Sequence, residues 1–329
     1  MKRFPRSVAV FLKSAFFLII ASPLLAGTLE SFQSLEDPRF DPARAVMNVG
    51  QDGRVYFTSS IGRPGYVLAM DRDGSNRTDG DTVYALRQVT ANADGLIATA
   101  NAHFSHSVNV YSPDFGHLAS NDSFTNGDHV HDWNAPGKIE AGPSGDFYAL
   151  DHNVFRVVRL NHQARIVGVI SLPDSGAFKY ADMKLDEPRQ RLALSDERTL
   201  IRVVDFDGNT LADMRTVGNT WFDFDERGVL HVIESDASQV RRFELRQSPD
   251  NDTGYTLVEL DPLTLQSGAY AASREMPFRN IKLFENDLVL QRRHPTELFT
   301  VYDARTGEWK RTVNSNARTK TIKRLRLEA

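Results

Sequence analysis

The chain has 329 residues, of which 41% are hydrophobic and 25% charged, and its formal net charge is −4 at pH 7. These values are ordinary for a soluble globular protein. An acidic chain is unfavourable for nucleic acid, whose binding depends on neutralising phosphates, so we expect no nucleic-acid partner. Cysteine is absent, which excludes disulfides, thiol nucleophiles, iron–sulfur clusters and cysteine-ligated zinc.

The first 26 residues have the pattern of a secretory signal. Lys2, Arg3, Arg6 and Lys13 precede an apolar run that ends in small residues near Ala26. An uncleaved membrane anchor is the alternative, but this run is shorter than the roughly 20 residues that span a bilayer. Because no cysteine follows it, lipoprotein anchoring is excluded. We therefore expect cleavage near Ala26, no transmembrane span, and a periplasmic or secreted mature protein.

After this segment the chain carries six turn positions that recur at intervals of 38 to 58 residues. The interval is close to the roughly 40 to 50 residues of one four-stranded propeller blade. Each turn is followed by a short run rich in β-branched, aromatic or aliphatic residues, and then by a second such run. The six turn positions are Gly53, Gly95, Gly145, Gln190, Gly228 and Asn286.

These runs predict the second and third strands of six blades. The second strands are expected at 55–58, 96–99, 147–150, 192–194, 230–233 and 288–290. The third strands are expected at 66–70, 108–111, 155–160, 201–204, 240–243 and 298–302. No sustained helical period interrupts them, so the prediction is an all-β, six-bladed β-propeller.

The propeller is predicted to form one domain over residues 27–315, and we expect a monomer. Residues 316–329 form a basic tail that includes Arg318, Lys320, Lys323, Arg324 and Arg326. This tail could contact anionic lipid or polysaccharide, remain solvated, or supply a strand that closes the ring. Residues 28–32, just after the expected cleavage point, could supply the closing strand equally well.

One blade resembles a known repeat. Residues 136–151 (PGKIEAGPSGDFYALD), followed by the strand at 154–160, resemble an NHL repeat, and the other five blades match more loosely. The resemblance implies an NHL-like six-bladed propeller over about residues 42–310. Proteins of this kind include binding scaffolds as well as enzymes of the gluconolactonase and peptidyl-hydroxyglycine lyase kind, so the resemblance narrows the fold more than the function.

A polar residue lies six positions after each turn, where the second strand ends. Equivalent positions in six blades form a ring, so these side chains are expected near one mouth of the channel. Asp151, Asp196 and Glu234 could hold a divalent cation there, Ca²⁺ or Mg²⁺ rather than Zn²⁺. The alternative is that such carboxylates cap the following turn through its backbone, and Arg292 would oppose a cation. The six residues are Ser59, Asn101, Asp151, Asp196, Glu234 and Arg292.

The segment before the third blade supplies a second set of candidates. His129 and His131 lie two residues apart, and on an extended segment both rings point the same way. They could bind Zn²⁺ or another ligand or shuttle protons, or they could be ordinary surface residues. Trp133 could stack on a sugar ring, whereas the alternative is that it packs between blades. Together with Asn101 and Arg292, these three residues are the predicted ligand-binding set.

Two functions from different classes follow. The first is an exported, non-catalytic propeller of the cell envelope that binds a glycan, a peptide or an envelope protein at the channel face. The second is a divalent-metal-dependent hydrolase or lyase of the lactonase or peptidyl-hydroxyglycine lyase kind. The sequence favours the first, because it contains no nucleophile elbow and no recognisable metal motif.

Overall fold

In the residues that it describes, a computed structural model of the chain contains six sheets of four antiparallel strands and one two-stranded sheet. The structure describes residues 40, 45–59, 65–82, 88–101, 106–126, 129–133, 136–152, 154–173, 180–196, 199–234, 238–266, 278–292 and 297–314. The predicted signal segment 1–26 and the basic tail 316–329 lie outside these residues. The described part of the chain contains no helix with the length and apolarity of a membrane span.

Each blade is formed by four consecutive strands, and its sheet order follows the chain order. Blade one contains β1 (Val46–Val49), β2 (Val55–Ser59), β3 (Gly65–Met70) and β4 (Thr78–Thr82). Blade two contains β5 (Gln88–Ala91), β6 (Ile97–Asn101), β7 (Ser107–Tyr111) and β8 (His117–Asn121). A separate hairpin follows, formed by β9 (Ser123–Asn126) and β10 (His129–Asp132).

The later blades repeat the arrangement. Blade three contains β11 (Pro136–Ala141), β12 (Phe147–Asp151), β13 (Arg156–Leu160) and β14 (Ile166–Ser171). Blade four contains β15 (Asp182–Asp186), β16 (Arg191–Ser195), β17 (Leu200–Asp205) and β18 (Thr210–Arg215), with a 3₁₀ turn at Glu187–Arg189.

Blade five contains β19 (Thr220–Phe224), β20 (Leu230–Glu234), β21 (Gln239–Gln247) and β22 (Tyr255–Thr264). Blade six contains β23 (Phe278–Phe284), β24 (Asp287–Arg292), β25 (Glu297–Asp303) and β26 (Trp309–Asn314). The predicted all-β fold and the six second and third strands are confirmed. The structure adds the first and fourth strands and the β9–β10 hairpin, which the sequence analysis did not assign.

The first strands of the blades are the innermost, because each contacts the first strand of the next blade around the ring. Blade six meets blade one in the same way. Asn280 of β23 donates a hydrogen bond to the carbonyl oxygen of Met47, and Gln291 donates to that of Ala45 at 2.8 Å. Every blade has four strands within the described residues, and in that part of the chain blade six packs directly on blade one.

The hydrophobic core lies between the blades. The described residues form six apolar clusters, one at each interface between neighbouring blades. At the interface of blades six and one, for example, Phe57 stacks on Phe299 with 6.0 Å between ring centroids. Because each strand buries side chains toward both neighbouring blades, the short apolar runs of the sequence are nearly continuous and do not strictly alternate.

The turns between the first and second strands all lie on one face of the ring. At the predicted turn positions, Gly53, Gly95, Gly145 and Gly228 have positive φ, and Gln190 adopts the same region with φ 50°. In blade six the positive φ is found at Glu285, one residue before the predicted turn position Asn286. At this face, adjacent blades are joined by hydrogen bonds such as Asn92 to Gly145, Ser144 to Glu187, Arg191 to Gly228 and Arg72 to Asp287.

Candidate functional site

Two rings of side chains, one from each blade, face the central channel. In every blade, one residue of the first strand pairs with the second-strand residue that lies three positions after the turn residue. The first-strand residue two positions earlier pairs with the second-strand residue that lies five positions after the turn residue. Residues two apart on a strand share a face, so both sets point toward the axis. The set nearer the turns, called the lower ring, is Asn48, Thr90, Glu140, Lys184, Asp223 and Lys282. The set farther from the turns, called the upper ring, is Val46, Gln88, Lys138, Asp182, Trp221 and Asn280.

The lower ring contains a buried ion-pair network. Lys184 lies 3.0 Å from one carboxylate oxygen of Glu140, and Lys282 lies 2.8 Å from the other. Lys282 also lies 3.6 Å from Asp223, which accepts a hydrogen bond from the backbone nitrogen of Leu283 at 2.8 Å. These charges are almost fully removed from water, and each is compensated by an opposite charge within the channel, as buried ions require.

The network shifts the pKa values of Glu140, Lys184 and Asp223. Burial would raise the pKa of Glu140, but Lys184 and Lys282 outweigh it and hold that pKa below its ordinary value. Burial would lower the pKa of Lys184, but Glu140 and the neighbouring aspartates raise it. For Asp223 burial is the larger effect, and its pKa is raised despite the two lysines. Glu140 and Lys184 are therefore ionised at neutral pH.

The upper ring combines a second ion pair with amide side chains. Lys138 lies 3.3 Å from Asp182, and this lysine helps to hold the pKa of Asp182 below its ordinary value against the opposing effect of burial. Gln88 accepts a hydrogen bond from the backbone nitrogen of Ile139 at 3.1 Å. Together with the bond from Asn280 to Met47, this contact links the inner strands of neighbouring blades and keeps the ring rigid.

A cavity of about 310 Å³ opens at the mouth of the channel, on the face opposite the turns. All six inner strands contribute to it, either from the strand or from the residue directly before it. Its size is at the lower end of the range of about 300 to 1,000 Å³ that is typical of small-molecule sites. The lining residues are Val46, Gln88, Lys138, Asp182, Lys184, Asn219, Trp221, Arg279 and Asn280.

Trp221 provides the aromatic part of this lining. Its ring is partly buried, packs against the hydrophobic cluster between blades five and six, and is exposed to the cavity on its remaining side. Asn219, two residues earlier, is exposed and lies on the same rim. An aromatic ring beside amides and cations can stack on a flat ligand face while the polar groups bind its hydroxyl or acidic groups.

Two β-bulges interrupt the inner strands on opposite sides of the channel. In blade three the pairing shifts between Pro136 and Lys138, which leaves Gly137 as the extra residue. In blade six it shifts between Phe278 and Asn280, which leaves Arg279 as the extra residue. Adjacent strand residues normally point to opposite faces, but a bulge can redirect a side chain. Arg279 and Asn280 accordingly both line the cavity.

The three predicted metal-binding carboxylates have separate partners. Asp151 is fully buried and lies 2.8 Å from Arg156. Asp196 accepts hydrogen bonds from the backbone nitrogens of Thr199 at 2.7 Å and Leu200 at 3.1 Å, the turn-capping arrangement that was its alternative interpretation. Glu234 ends β20. The hydrogen bond and charge of Glu259 raise the pKa of Arg241 against burial, which lowers it, and the charge of Glu234 adds a smaller rise.

No group of three or more His, Asp or Glu side chains is close enough to hold a metal ion in the part of the chain that the structure describes. Asp151, Asp196 and Glu234 therefore do not form the convergent ring that the sequence analysis expected. The physical reason is the position of these residues in the blades. All three lie at the ends of second strands, whereas the first strands line the channel. Direct binding of a metal by any one of them stays a prediction.

Of the predicted ligand-binding residues, Asn101, Trp133 and Arg292 are not among those that line this cavity. Asn101 is buried at the end of β6, and the guanidinium carbon of Arg292 lies 4.6 Å from the ring centroid of Phe278. Trp133 is 1% exposed, packs between blades two and three, and donates to Asn121 at 3.1 Å, so its ring offers no open face. The backbones of His129 and His131 form β10, but their side chains lie outside the described residues, as does that of Ser59.

Sequence analysis missed the cavity residues because it aligned the blades on their second strands. The signal was present in the inner strands, where charged and apolar residues alternate just before a turn, as in Lys138-Ile139-Glu140 and Asp182-Met183-Lys184. This alternation identifies strands with one polar face. Only the ring closure shows that this face lines the axis.

Comparison with known proteins supports the fold and leaves the family open. The β-propeller domain of Cps50 (Swd1) from Myceliophteria thermophila gives a TM-score of 0.55 at 9% identity over 86% of this chain and 88% of that chain. A streptogramin B lyase structure gives a TM-score of 0.51 at 14% identity over 86% of this chain and 85% of that chain.

A catalytically inactive variant of virginiamycin B lyase from Staphylococcus aureus with quinupristin gives a TM-score of 0.52 at 12% identity over 88% of each chain. Identities this low show a shared propeller fold and nothing finer. No protein-family profile matches the sequence, and no curated protein matches it either, so the NHL resemblance is not confirmed by these comparisons.

Proposed function

We propose that this chain is an exported, non-catalytic propeller of the cell envelope that binds a glycan at the mouth of its channel. The observation that carries the proposal is the cavity to which all six inner strands contribute, with Trp221 beside the amides of Asn219, Gln88 and Asn280. Aromatic rings stack on the apolar faces of sugars, and amides bind sugar hydroxyls as both donors and acceptors.

The rigidity of the site supports binding of a preformed ligand shape. Each inner strand is joined to its neighbours by packing and by hydrogen bonds, and the buried charges of the lower ring fix the floor. A rigid cavity binds with little loss of conformational entropy. Its volume of about 310 Å³ is sufficient for one sugar residue, so the ligand is expected to present a chain end or a single branch.

The test is a glycan panel followed by titration calorimetry with the purified mature chain. Trp221→Ala should abolish the binding of any glycan that the wild-type protein holds. Trp309→Ala is the matched control, because Trp309 packs against the same hydrophobic cluster but does not line the cavity. Retained binding in the Trp221 variant, or equal loss in both folded variants, would contradict a site at the channel mouth.

Two other outcomes would redirect the proposal. Binding of peptides or an envelope protein in place of glycans, abolished by Trp221→Ala, would keep the site and change the partner. Conversion of the bound compound, seen by mass spectrometry as a mass change that depends on an added divalent ion, would favour the hydrolase or lyase alternative.

The proposal that the protein is exported rests on the signal-like residues 1–26, and a separate measurement tests it. Mass spectrometry of the protein from the periplasm or medium should find an N-terminus within a few residues of Gly27. An intact Met1 in a membrane fraction would reverse the proposed localisation.

A further inference from the structure

The cavity is more cationic than the chain that forms it. The chain as a whole has a formal net charge of −4, but the described lining residues include Lys138, Lys184 and Arg279 against the single carboxylate of Asp182. Such a local reversal of sign attracts anionic ligands to a site on an otherwise acidic protein. The excess of positive charge is therefore a property of the cavity lining and not of the chain as a whole.

Ion pairing fixes the two lysines. Lys138 is held at 3.3 Å from Asp182 and Lys184 at 3.0 Å from Glu140, so both have partners that order them. Arg279 differs in how it is placed, since the bulge in β23 directs it toward the cavity beside Asn280. Guanidinium groups bind carboxylates through two parallel hydrogen bonds, a geometry that lysine cannot provide.

We infer that the ligand is an acidic sugar, one whose ring bears a carboxylate, and that Arg279 binds this carboxylate while the sugar ring lies on Trp221. This inference rests on the proposed glycan-binding function and specifies its ligand. The site then has two separable parts: Trp221 and the amides recognise the ring, and Arg279 at the rim recognises the charge. The lining beside Arg279 also carries Lys138 and Lys184, each ordered by its own ion pair.

The experiment compares oligosaccharides of galactose and glucose with their counterparts built from galacturonate and glucuronate. Each pair differs only in the oxidation of one ring substituent, so the difference in affinity reports the carboxylate. At low salt the wild-type protein should bind the acidic member about tenfold more tightly or better, the size of a charge-assisted contact. Raising the salt concentration should reduce this preference and leave the binding of the neutral member unchanged.

Arg279→Gln should remove the preference for the acidic member while leaving the affinity for the neutral member intact. Arg246→Gln is the matched control, because Arg246 is exposed and lies on the outer hairpin of blade five, paired with Glu244. Lys138 is unsuitable as a variant, since its loss would leave Asp182 buried without that partner. Thermal melts should show that both variants are folded at the temperature of the titration.

The possible results separate the two proposals. Equal affinity for the acidic and neutral members, or a preference that survives Arg279→Gln, would overturn the acidic-sugar inference and keep the glycan site. Failure of every sugar to bind a folded wild-type protein would overturn the proposed function itself. Binding of peptides through their terminal carboxylate, with no sugar bound, would overturn both and assign Arg279 to a different ligand.

Discussion

Lys282 of blade six donates a hydrogen bond to Glu140 of blade three across the channel, at 2.8 Å and 142 residues apart in the sequence. In a ring of six blades these two are opposite each other, so one ion pair connects the two halves of the ring directly. Lys184 of blade four completes the arrangement from the side. The floor of the cavity is therefore a set of mutually compensating charges.

Removing one member of this network should destabilise the fold strongly. Lys282→Met leaves Glu140 with Lys184 alone and leaves Asp223 without its nearest cation. We expect a loss of about 3 kcal/mol in the free energy of unfolding, because an uncompensated charge stays buried. Arg241→Met is the control: it breaks an exposed pair with Glu259 and should lose about 1 kcal/mol or less. Similar losses for both variants in urea titrations would contradict the buried network.

Acid should weaken the fold partly through Glu140. Its pKa in the folded protein is below the ordinary value of 4.5, so it stabilises the fold above that pH. This contribution is lost as the pH falls through the lowered folded pKa. The difference in unfolding free energy between the wild-type protein and Glu140→Gln should therefore be largest near pH 7 and shrink below about pH 4.5.

Asp223 acts in the opposite direction, which is why the comparison of variants is needed. Burial raises its folded pKa above 3.8, so its contribution to stability falls as the pH rises through that folded value. In the wild-type curve the two effects partly cancel. A difference between the wild-type protein and Glu140→Gln that grows on acidification would contradict the direction given for Glu140.

The bulge in blade three should tolerate only glycine. A Cβ atom at Gly137 would overlap Nε2 of His152, and that ring is held by a 2.6 Å contact between its Nδ1 and the carbonyl oxygen of Tyr180. We expect Gly137→Ala to lose about 1 to 3 kcal/mol through overpacking. Gly168→Ala is the control, since its Cβ would meet only ordinary contacts with Arg159 at 3.8 Å.

The double variant Gly137→Ala with His152→Ala separates the contact from other causes. If the clash with the ring is the reason, the added His152→Ala change should make the Gly137→Ala change nearly neutral. A loss that persists in the double variant would place the cause in the backbone of the bulge.

The fold could be predicted from the sequence because its signals are local. The turns at Gly53, Gly95, Gly145 and Gly228 require positive φ, and the apolar runs after them require a β-type environment. The cavity could not be predicted in this way, because Trp221 and Arg279 come together only through ring closure and the bulge in β23. Likewise, nothing in the residue type of Asp151 reveals that Arg156 is its partner.

Asp196 provides the sharpest test between capping a turn and binding a cation. Its carboxylate accepts hydrogen bonds from the backbone nitrogens of Thr199 and Leu200 and from the Thr199 hydroxyl. Asparagine retains the oxygen that accepts the backbone bonds and favours such turns, whereas alanine retains nothing. We expect Asp196→Ala to lose about 1 to 2 kcal/mol in the free energy of unfolding and Asp196→Asn less than half of that.

The melting temperatures of all three proteins should not change between chelator and added Ca²⁺. A calcium-dependent rise in the wild-type melting temperature, lost equally in both variants, would instead assign Asp196 to a metal site.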